Sequence, residues 1–467
     1  MMMLSQRPLL LPFLLLLLAQ IHSSYCDDDD SGDLLTFKLN NGFGIPLVGM
    51  GIGNLQHELI PQVVSANLVP SQDIRLIDTA HNSHNEHILG KAVASFDAAS
   101  HAQTRGGGGS SKPPPIHVVT KVWYTHLGYE RTKVSVKESL DQLASKNTRQ
   151  IYVHMLLHWP RCNDEEYGWM NCEEEENNLP QSVKDAGTPP HLDKQNAWKD
   201  SWRALEELYT EHSIETHRSD GVKKVKIASI GVSNFELDDM KALIEIAHIG
   251  PHVYQGNSWL IFHDPYLMDF LREHDIFFQA YAVMFGIIQR KQDSPGAFHI
   301  LSTLSLELNE VIQSSNSDNV ATQPVVTEAT IILAYLVHSN IGIIPRAAKV
   351  AHQQENSASS IKAVIQHLTP DRIEKLERAI PALMRGQQLH IAVSFENALE
   401  NAILVHWVHP DTNEEVVVSD HIHPGSVEVQ QTHPGHKFIV YDTERKIRKE
   451  FVVGAGYGEE QQFRVEL

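Results

Sequence analysis

The sequence is poor in cysteine, carries fewer basic than acidic residues and has few long apolar runs. Only 3 of its 467 residues are cysteine, too few for a disulfide-framed small scaffold. Lysine and arginine number 38 against 58 aspartate and glutamate, which gives a formal charge of −20. We therefore expect no nucleic-acid partner. Hydrophobic residues make up 42% of the chain, enough to bury a large core.

The first 26 residues contain the longest apolar run and are typical of a secretory signal peptide. Arg7 precedes the apolar segment Leu9–Leu18, and Ser24 and Cys26 are small residues suited to cleavage. The run is short for a membrane span, and no second one follows it. We expect a cleaved signal at residues 1–26, an acidic leader at 27–35 and a lumenal or extracellular protein without a membrane span.

Two cysteines remain after the predicted signal. Cys162 and Cys172 both lie in one acidic segment, and in an oxidising compartment they are candidates for a local disulfide. Two free thiols are the alternative. Two cysteines without further clustered ligands make a poor zinc site, so the sequence predicts no metal site.

Residues 36–386 alternate strand-like and helix-like segments, as parallel α/β folds do. The predicted strands are Pro46–Gly51, Ile74–Asp78, His117–Trp123, Ile151–Trp159, Ile227–Ser233, Val253–Asn257, Phe277–Tyr281 and Gly342–Pro345. The predicted helices include Lys133–Ala144, Ala197–Tyr209, Leu237–Ile246 and Thr327–His338. Eight such units indicate a (β/α)8 TIM-type barrel. An open doubly wound sheet is the alternative, but no glycine-rich fingerprint follows the first strand.

Three segments are longer than barrel connections need, namely Ser95–Pro115, Arg161–Gln195 and Ser294–Pro324. The first is rich in glycine and proline and is predicted to be a flexible insertion. The other two follow the fourth and seventh strands. Because loops after barrel strands line the mouth, we expect both to shape the substrate pocket.

Residues 390–467 have a different pattern. Short alternating segments are separated by His-Pro turn signals, at Ala402–Val408, Glu415–Val418, Val427–Gln430 and Lys437–Tyr441. This pattern predicts a small antiparallel all-β sandwich domain after the barrel.

Asp78 stands where the second predicted strand ends, in the run IRLIDTAHNSHNEHILG. A carboxylate leaving an apolar strand is costly to bury without a cationic partner, although a helix N-cap is the simpler alternative. Asp78-Thr79-Ala80, followed by Glu86 and Leu89-Gly90, resembles the first signature of the aldo-keto reductases. The similarity extends over most of residues 36–385.

The resemblance implies a catalytic set at the barrel mouth. In that family an aspartate pairs with a lysine, a tyrosine donates the proton, and a histidine orients the carbonyl. Asp78, Lys121 in VVTKVW and His158 in MLLHWP match three of these residues. The tyrosine position is occupied by Ser83.

The resemblance also implies a nicotinamide cofactor, NADP(H) or NAD(H). Its nicotinamide end is matched by Ser233 and Asn234 in GVSNF, by Gln255 and by Tyr281, and its adenosine end by Arg346, Glu355 and Asn356. His352 stands where the family has a second arginine. With one strong cation left at the 2′-phosphate site, we expect a weakened preference for NADP.

Ser83 changes the expected chemistry, because a serine has no pKa near neutrality. An active site of this composition needs another acid, with His158 as the first candidate and His81 and His84 as alternatives. Activity would then fall as the pH rises through roughly 6–7. The family's threonine and tryptophan after the first strand are replaced by Ile52 and Gly53, which widens the predicted pocket.

The C-terminal segment resembles the β domain of the von Hippel-Lindau tumour suppressor. The matching motifs are Phe395-Glu396-Asn397, Val405-His406-Trp407, Ile422-His423-Pro424-Gly425 and Thr432-His433-Pro434-Gly435-His436-Lys437-Phe438. That domain binds hydroxyproline, and Thr432 and His436 match two of its pocket residues. Phe438 replaces a tryptophan and Ser419 a tyrosine, so a purely structural sandwich is the alternative.

Two functions follow from these resemblances. The first is an NAD(P)H-dependent oxidoreductase that reduces a small aldehyde or ketone to an alcohol. The second is a catalytically impaired, aldo-keto-reductase-like protein that binds a nucleotide, or a protein or peptide ligand through its β domain.

Overall fold

The computed structural model describes residues 35–104, 114–144, 149–212, 225–284, 292–315, 325–387, 389, 391–410, 412–433, 435–444, 446–454 and 461–466. The predicted signal peptide and nearly all of the acidic leader lie outside these residues. Among the described helices, none combines the length and apolar character needed to cross a membrane.

The strands fall into an N-terminal hairpin, a barrel and a C-terminal group. The hairpin is β1 Thr36–Lys38 and β2 Gly44–Pro46. The barrel strands are β3 Gly49–Gly51, β4 Leu76–Asp78, β5 Ile116–Val122, β6 Ile151–Leu157, β7 Val225–Ser233, β8 Val253–Asn257, β9 Phe277–Tyr281 and β10 Gly342–Ile343. The last group is β11 Ile391–Asn397, β12 Ile403–Val408, β13 Glu415–Ile422, β14 Val427–Thr432, β15 Lys437–Asp442, β16 Arg448–Val452 and β17 Gln461–Val465.

The α-helices surround the barrel strands in the chain order expected for repeated βα units. They are α1 Ile60–Asn67, α2 Glu86–Thr104, α3 Tyr129–Ala144, α4 Cys172–Asn177, α5 Gln181–Asp185, α6 Ala197–His212, α7 Leu237–Ile246, α8 Leu260–His263, α9 Pro265–Glu273, α10 Pro295–Ser315, α11 Glu328–His338, α12 Val350–Glu355, α13 Ala358–Ile365 and α14 Pro370–Arg385. Short 3-10 turns follow several strands, including His81–Ser83 and Tyr124–His126.

The eight strands β3 to β10 form one parallel sheet in sequence order. A parallel bridge between Val48 and Ile343 joins its two edges, and the Ile343 amide donates to the Leu47 carbonyl at 2.8 Å. The predicted TIM-type barrel is therefore confirmed. In such a barrel the carboxyl ends of all strands meet at one mouth.

Burial explains why these segments form barrel elements. β5 is buried along its whole length, as expected for a parallel strand covered on both faces. In α6, Trp198, Trp202 and Leu205 repeat at helical spacing and are at most 2% exposed, so that face packs into the core. α14 begins at the capping hydroxyl of Thr369 and ends at Gly386, whose φ of +64° suits glycine.

All three predicted insertions are partly helical, and two of them differ from the prediction. Ser95 to Thr104 continue α2 instead of forming a loop, and residues 105–113 lie outside the described part of the chain. Ser294–Pro324 was predicted to line the mouth, but α10 occupies most of it and packs against α11 and α14. The apolar residues Leu301, Leu304 and Leu308 are at most 2% exposed, which explains this helical packing.

The C-terminal strands form two sheets, with orders β14-β11-β17 and β13-β12-β15-β16. Phe395 of the first sheet packs on Phe438 and Phe451 of the second, at ring-centroid distances of 5.3 and 6.2 Å. This confirms the small all-β domain. One pairing differs from the antiparallel prediction, because β17 lies parallel to β11. The short alternating pattern identifies strands but does not encode their direction of pairing.

Candidate active site

Asp78 and Lys121 form a buried ion pair at the barrel mouth. Lys121 Nζ donates to Asp78 Oδ1 at 2.6 Å and to the Thr79 carbonyl at 2.7 Å. The two side chains come from the neighbouring strands β4 and β5. Lys121 is 3% and Asp78 9% exposed. The structure thus brings together two residues that are 43 positions apart, and the simple helix-cap alternative for Asp78 does not hold.

A glutamine pair extends this network across the barrel. Gln255 Nε2 donates to Asp78 Oδ1 and to Gln279 Oε1, both at 2.8 Å. Gln255, which the family resemblance assigns to the nicotinamide, is therefore also tied to the ion pair. Gln279 is fully buried on β9 and was missed by sequence reasoning. The sequence feature that could have identified it is a lone amide side chain in the otherwise apolar strand FFQAY.

The residues matched to the nicotinamide site form a second chain of hydrogen bonds. Tyr281 Oη donates to Asn234 Oδ1 at 2.6 Å, and Asn234 Nδ2 donates to the His158 carbonyl at 3.0 Å and to Ser233 Oγ at 3.1 Å. Asn234 has a φ of +58°, a left-handed conformation that asparagine tolerates better than most residues. The turn after β7 thus aims its side chain toward β6 and β9.

Gly231 of the same GVSNF run is required by a close approach of two strands. A Cβ atom at this position would lie 2.0 Å from the Val253 carbonyl oxygen. Any side chain would therefore push β7 away from β8.

Burial, followed by repulsion from Tyr167, raises the pKa of Tyr281 to about 12, so its hydroxyl stays protonated near neutral pH and can donate to Asn234.

His158 follows β6, is half-buried and packs against the Trp123 ring, with ring centroids 4.9 Å apart. Burial first, and then the positive charge of Lys121, lowers the pKa of His158 well below its usual value. The imidazole is therefore neutral near neutral pH. This direction argues against His158 as the imidazolium acid that the sequence suggested, because sequence reasoning did not include the cost of desolvating the charged ring. A neutral ring still offers one N–H to orient a carbonyl oxygen.

Ser83 lies in the 3-10 turn His81–Ser83 and is partly exposed. A Cβ atom on Gly53 would lie 3.5 Å from Ser83 Oγ. The two positions at which the resemblance predicts a tyrosine and a tryptophan are thus adjacent. Both carry small residues, so the widening expected from Gly53 and the loss of the tyrosine ring affect the same space. Ile52 is fully buried.

The two alternative histidines lie in different environments. His84 is exposed, and its pKa is lowered by desolvation first and then by His81 and His57. His81 is partly buried, and its Nε2 lies 3.1 Å from Glu138 Oε2. His81 therefore contacts α3.

The residues matched to the adenosine end lie near the carboxyl end of β10. Arg346 is exposed, and its Nη1 donates to the Gly53 carbonyl at 3.5 Å. His352 is exposed on α12, while Glu355 and Asn356 are partly buried at its end. A small cleft lies here and is lined by Gly49, Met50, Gly51, Val63, Asn67, Ile74, Pro345, Ala347, Gln353 and Asn356.

The Aldo/keto reductase family model matches residues 62–380, which include the ion pair and both groups of cofactor residues. This chain belongs to the aldo/keto reductase family. The match ends before β11, so the family does not account for the β-sandwich of this aldo/keto reductase.

Individual relatives are distant. Glyoxal reductase from Bacillus subtilis (strain 168) is 26% identical over 225 residues, 47% of this chain and 56% of that protein. Glycerol 2-dehydrogenase (NADP(+)) from Hypocrea jecorina is 28% identical over 253 residues, 53% of this chain and 67% of that protein. The aldose reductase structure from Schistosoma japonicum gives a TM-score of 0.49 at 20% identity and covers 75% of this chain and 96% of that one. The chain thus spans little more than half the length of the glyoxal reductase.

The acidic segment after β6 is attached to the mouth of this aldo/keto reductase. Cys162 and Cys172 form a disulfide, as the sequence suggested. Glu175 accepts hydrogen bonds from Trp123 Nε1, at 2.6 Å, and from the Tyr124 hydroxyl. Glu176 forms a buried, two-pronged ion pair with Arg131, at 2.8 and 2.9 Å.

This segment also supplies aromatic side chains next to His158. Trp169 lies with its ring centroid 5.4 Å from that of Trp159 and 6.4 Å from that of Trp123. Tyr167 lies 5.3 Å from Trp159. The sequence predicted that the segment shapes the pocket but missed Glu175 as its anchor, because a glutamate in an acidic run looks like a solvated charge.

Proposed function

We propose that this protein is an NAD(P)H-dependent reductase that converts a small aldehyde or ketone to an alcohol. The buried pair of Asp78 and Lys121, hydrogen-bonded to Gln255, is the observation that carries the proposal. A surface function alone does not account for a charged pair held inside a barrel mouth, because burying two charges is costly. Membership of the aldo/keto reductase family and the likeness to a glyoxal reductase support the same reaction class.

Each site residue has a role in this reaction. A bound nicotinamide supplies a hydride for the carbonyl carbon. Asn234, with Ser233 and Tyr281, holds the cofactor's reactive end, and the neutral His158 orients the carbonyl oxygen. Lys121 places a positive charge near the mouth, where negative charge develops on that oxygen.

The proton for the alkoxide comes from solvent in this proposal. Ser83 cannot replace a tyrosine as an acid, and His158 is neutral. Ser83 is partly exposed, so solvent reaches the turn. Absence of a positioned general acid typically costs ~10²–10⁴-fold in rate, so we expect slow turnover and no fall in activity through pH 6–7 from His158.

NADP(H) is the proposed cofactor. The exposed Arg346 can pair with a 2′-phosphate, and Asn356, which lines the adjacent cleft, matches an adenine contact of the family. The glycerol 2-dehydrogenase relative is named for NADP(+). Titration of tryptophan fluorescence with NADPH and NADH tests this part directly, since Trp123 packs on His158. If neither nucleotide changes the tryptophan fluorescence at millimolar concentration, the proposed cofactor binding is rejected.

The decisive activity test compares Ser83→Tyr with Ser83→Ala in the full-length protein. NADPH oxidation is followed spectrophotometrically with a panel of small aldehydes and ketones. Ser83→Tyr should raise carbonyl reduction by up to ~10²–10⁴-fold, while Ser83→Ala should stay near the parent rate. Lys121→Met should abolish the gain. A folded Ser83→Tyr protein that binds NADPH but reduces no carbonyl would contradict the proposal.

A peptide-binding role for the β-sandwich is the second candidate. Thr432 Oγ1 lies 2.9 Å from His436 Nδ1, and the Trp407 ring lies 5.3 Å from the His436 ring. Trp407 Nε1 has no hydrogen-bond partner among the described residues. Thr432 and His436 match pocket residues of the von Hippel-Lindau β domain, and Trp407 lies in a motif that resembles that domain. Against this, Ser419 donates to Glu428 at 2.8 Å and Phe438 is core.

Binding of labelled peptides tests this role. A hydroxyproline peptide should bind more tightly than its proline counterpart, and Thr432→Ala should remove the difference. Equal binding of both peptides would leave the sandwich with a structural role alone.

The secretory location remains part of the proposal and is supported by the Cys162–Cys172 disulfide. Peptide mapping without reduction, on protein isolated from its native compartment, tests whether the two cysteines are paired there.

A further inference from the structure

Three metal-ligating side chains lie together beside the barrel mouth and have no role in the proposed reduction. His81 begins the 3-10 turn after β4, His126 ends the 3-10 turn after β5, and Glu138 lies in α3. Because β4 and β5 are neighbours in the barrel, the turns that follow them are adjacent. α3 packs against the second turn and places Glu138 beside both histidines.

The three side chains converge. His81 Nε2 lies 3.1 Å from Glu138 Oε2, and the rings of His81 and His126 lie 4.6 Å apart at 61°. One ligand atom from each residue lies within 4.8 Å of the other two. Bonds of about 2.0–2.1 Å to a tetrahedral zinc ion place ligand atoms about 3.4 Å apart. Small side-chain rotations would therefore close the site.

A simple ion pair between His81 and Glu138 does not account for the third member. His126 is 4% exposed, and one of its ring nitrogens lies within reach of the His81 and Glu138 ligand atoms. Thr125 Oγ1 lies 3.0 Å from His126 Nδ1 and holds the ring in place, as partners of metal-bound histidines commonly do.

The geometry points to a zinc-binding site formed by His81, His126 and Glu138. Two imidazoles and one carboxylate are an established ligand set for Zn²⁺, and three protein ligands leave a fourth position for water. His81 lies two residues before Ser83, so a bound ion fixes the turn that carries the altered active-site position. The site stands independently of the proposed reductase activity. Sequence reasoning predicted no metal site because the ligands come from three separate elements.

Zinc titration of the untagged full-length protein tests the assignment after treatment with a chelator. Calorimetry should show one Zn²⁺ site that Mg²⁺ does not fill, and Zn²⁺ should raise the melting temperature. His81→Ala and Glu138→Gln should each weaken binding at least about tenfold. His87→Ala is the matched control, because His87 is exposed and lies outside the cluster, and it should bind like the parent.

Cobalt substitution gives a second measurement that separates this site from scattered surface histidines. The Co²⁺-loaded parent and the His87→Ala protein should show the intense visible absorption of a low-coordinate site, and Glu138→Gln should lose it. Glu138 is only partly buried, with 43% of its side chain exposed, so this variant keeps the test valid even if a histidine variant misfolds. Either no zinc site in the parent, or parent-like zinc affinity in folded His81→Ala and Glu138→Gln, would overturn the inference.

Discussion

Mild acid should destabilise this protein strongly, because the fold holds four barrel histidines in the neutral form. Burial lowers the pKa of His117 to about 3 and that of His252 to about 4. The pKa values of His154 and His158 also lie well below the usual one, and burial is the main cause. In the unfolded chain each histidine returns to a pKa of about 6.5. The unfolded state therefore binds more protons below that pH, and stability is lost as the pH falls.

The size of the effect follows from linkage. Between about pH 7.5 and about pH 5.5, each histidine that stays neutral only in the folded state costs ~1.4 kcal/mol. Four such residues give ~5 kcal/mol, as much as the whole stability of many domains. Carboxylates contribute little in this window because most titrate at lower pH.

Urea denaturation at the two pH values measures this loss. His154→Gln is the informative variant, since the amide can keep contacts with His117 and Ser229, which lie 3.0 and 2.7 Å from the His154 ring nitrogens. It should reduce the acid-induced loss by ~1.4 kcal/mol. His87→Gln, at an exposed position, should leave the loss unchanged. An unfolding free energy that is the same at both pH values would refute the reasoning.

Three further predictions concern the ion pair, the cofactor and the acidic segment. Asp78→Asn should lower the free energy of unfolding by ~3–5 kcal/mol, because it leaves Lys121 buried without its charge partner. In urea denaturation the double variant Asp78→Asn/Lys121→Met should recover part of this free energy. An equal loss of stability in both variants would contradict the argument. Arg346→Ala should narrow the affinity gap between NADPH and NADH by ~1–3 kcal/mol, and an unchanged gap in fluorescence titrations would exclude a 2′-phosphate contact. Cys162→Ser/Cys172→Ser should cost at most ~2–3 kcal/mol and speed proteolysis within residues 161–195, whereas unchanged cleavage would show that Glu175 and Glu176 alone hold the segment.

Much of the fold could be predicted from residue patterns. The barrel strands are buried on both faces, so they occur as short apolar runs that need no knowledge of their neighbours. Val253–Asn257, Phe277–Tyr281 and Leu237–Ile246 have the predicted bounds. Helices were underestimated in two of the insertions. In α2 small and polar residues predominate, and packing against neighbouring elements decides the helical state. In α10 the helical spacing of Leu301, Leu304 and Leu308 was a local signal that sequence reasoning missed.

The positions of the candidate site residues were also available from the sequence, because motifs at strand ends place Asp78 and Lys121 at one mouth. The burial and protonation of these residues could not be predicted from the sequence. The protonation of His158 depends on how completely other elements exclude water from it. The docking of Glu175 and the meeting of His81 with His126 and Glu138 depend on contacts between distant segments. A linear sequence specifies which groups are present, but only the tertiary structure sets the distances and the exclusion of water that govern charge.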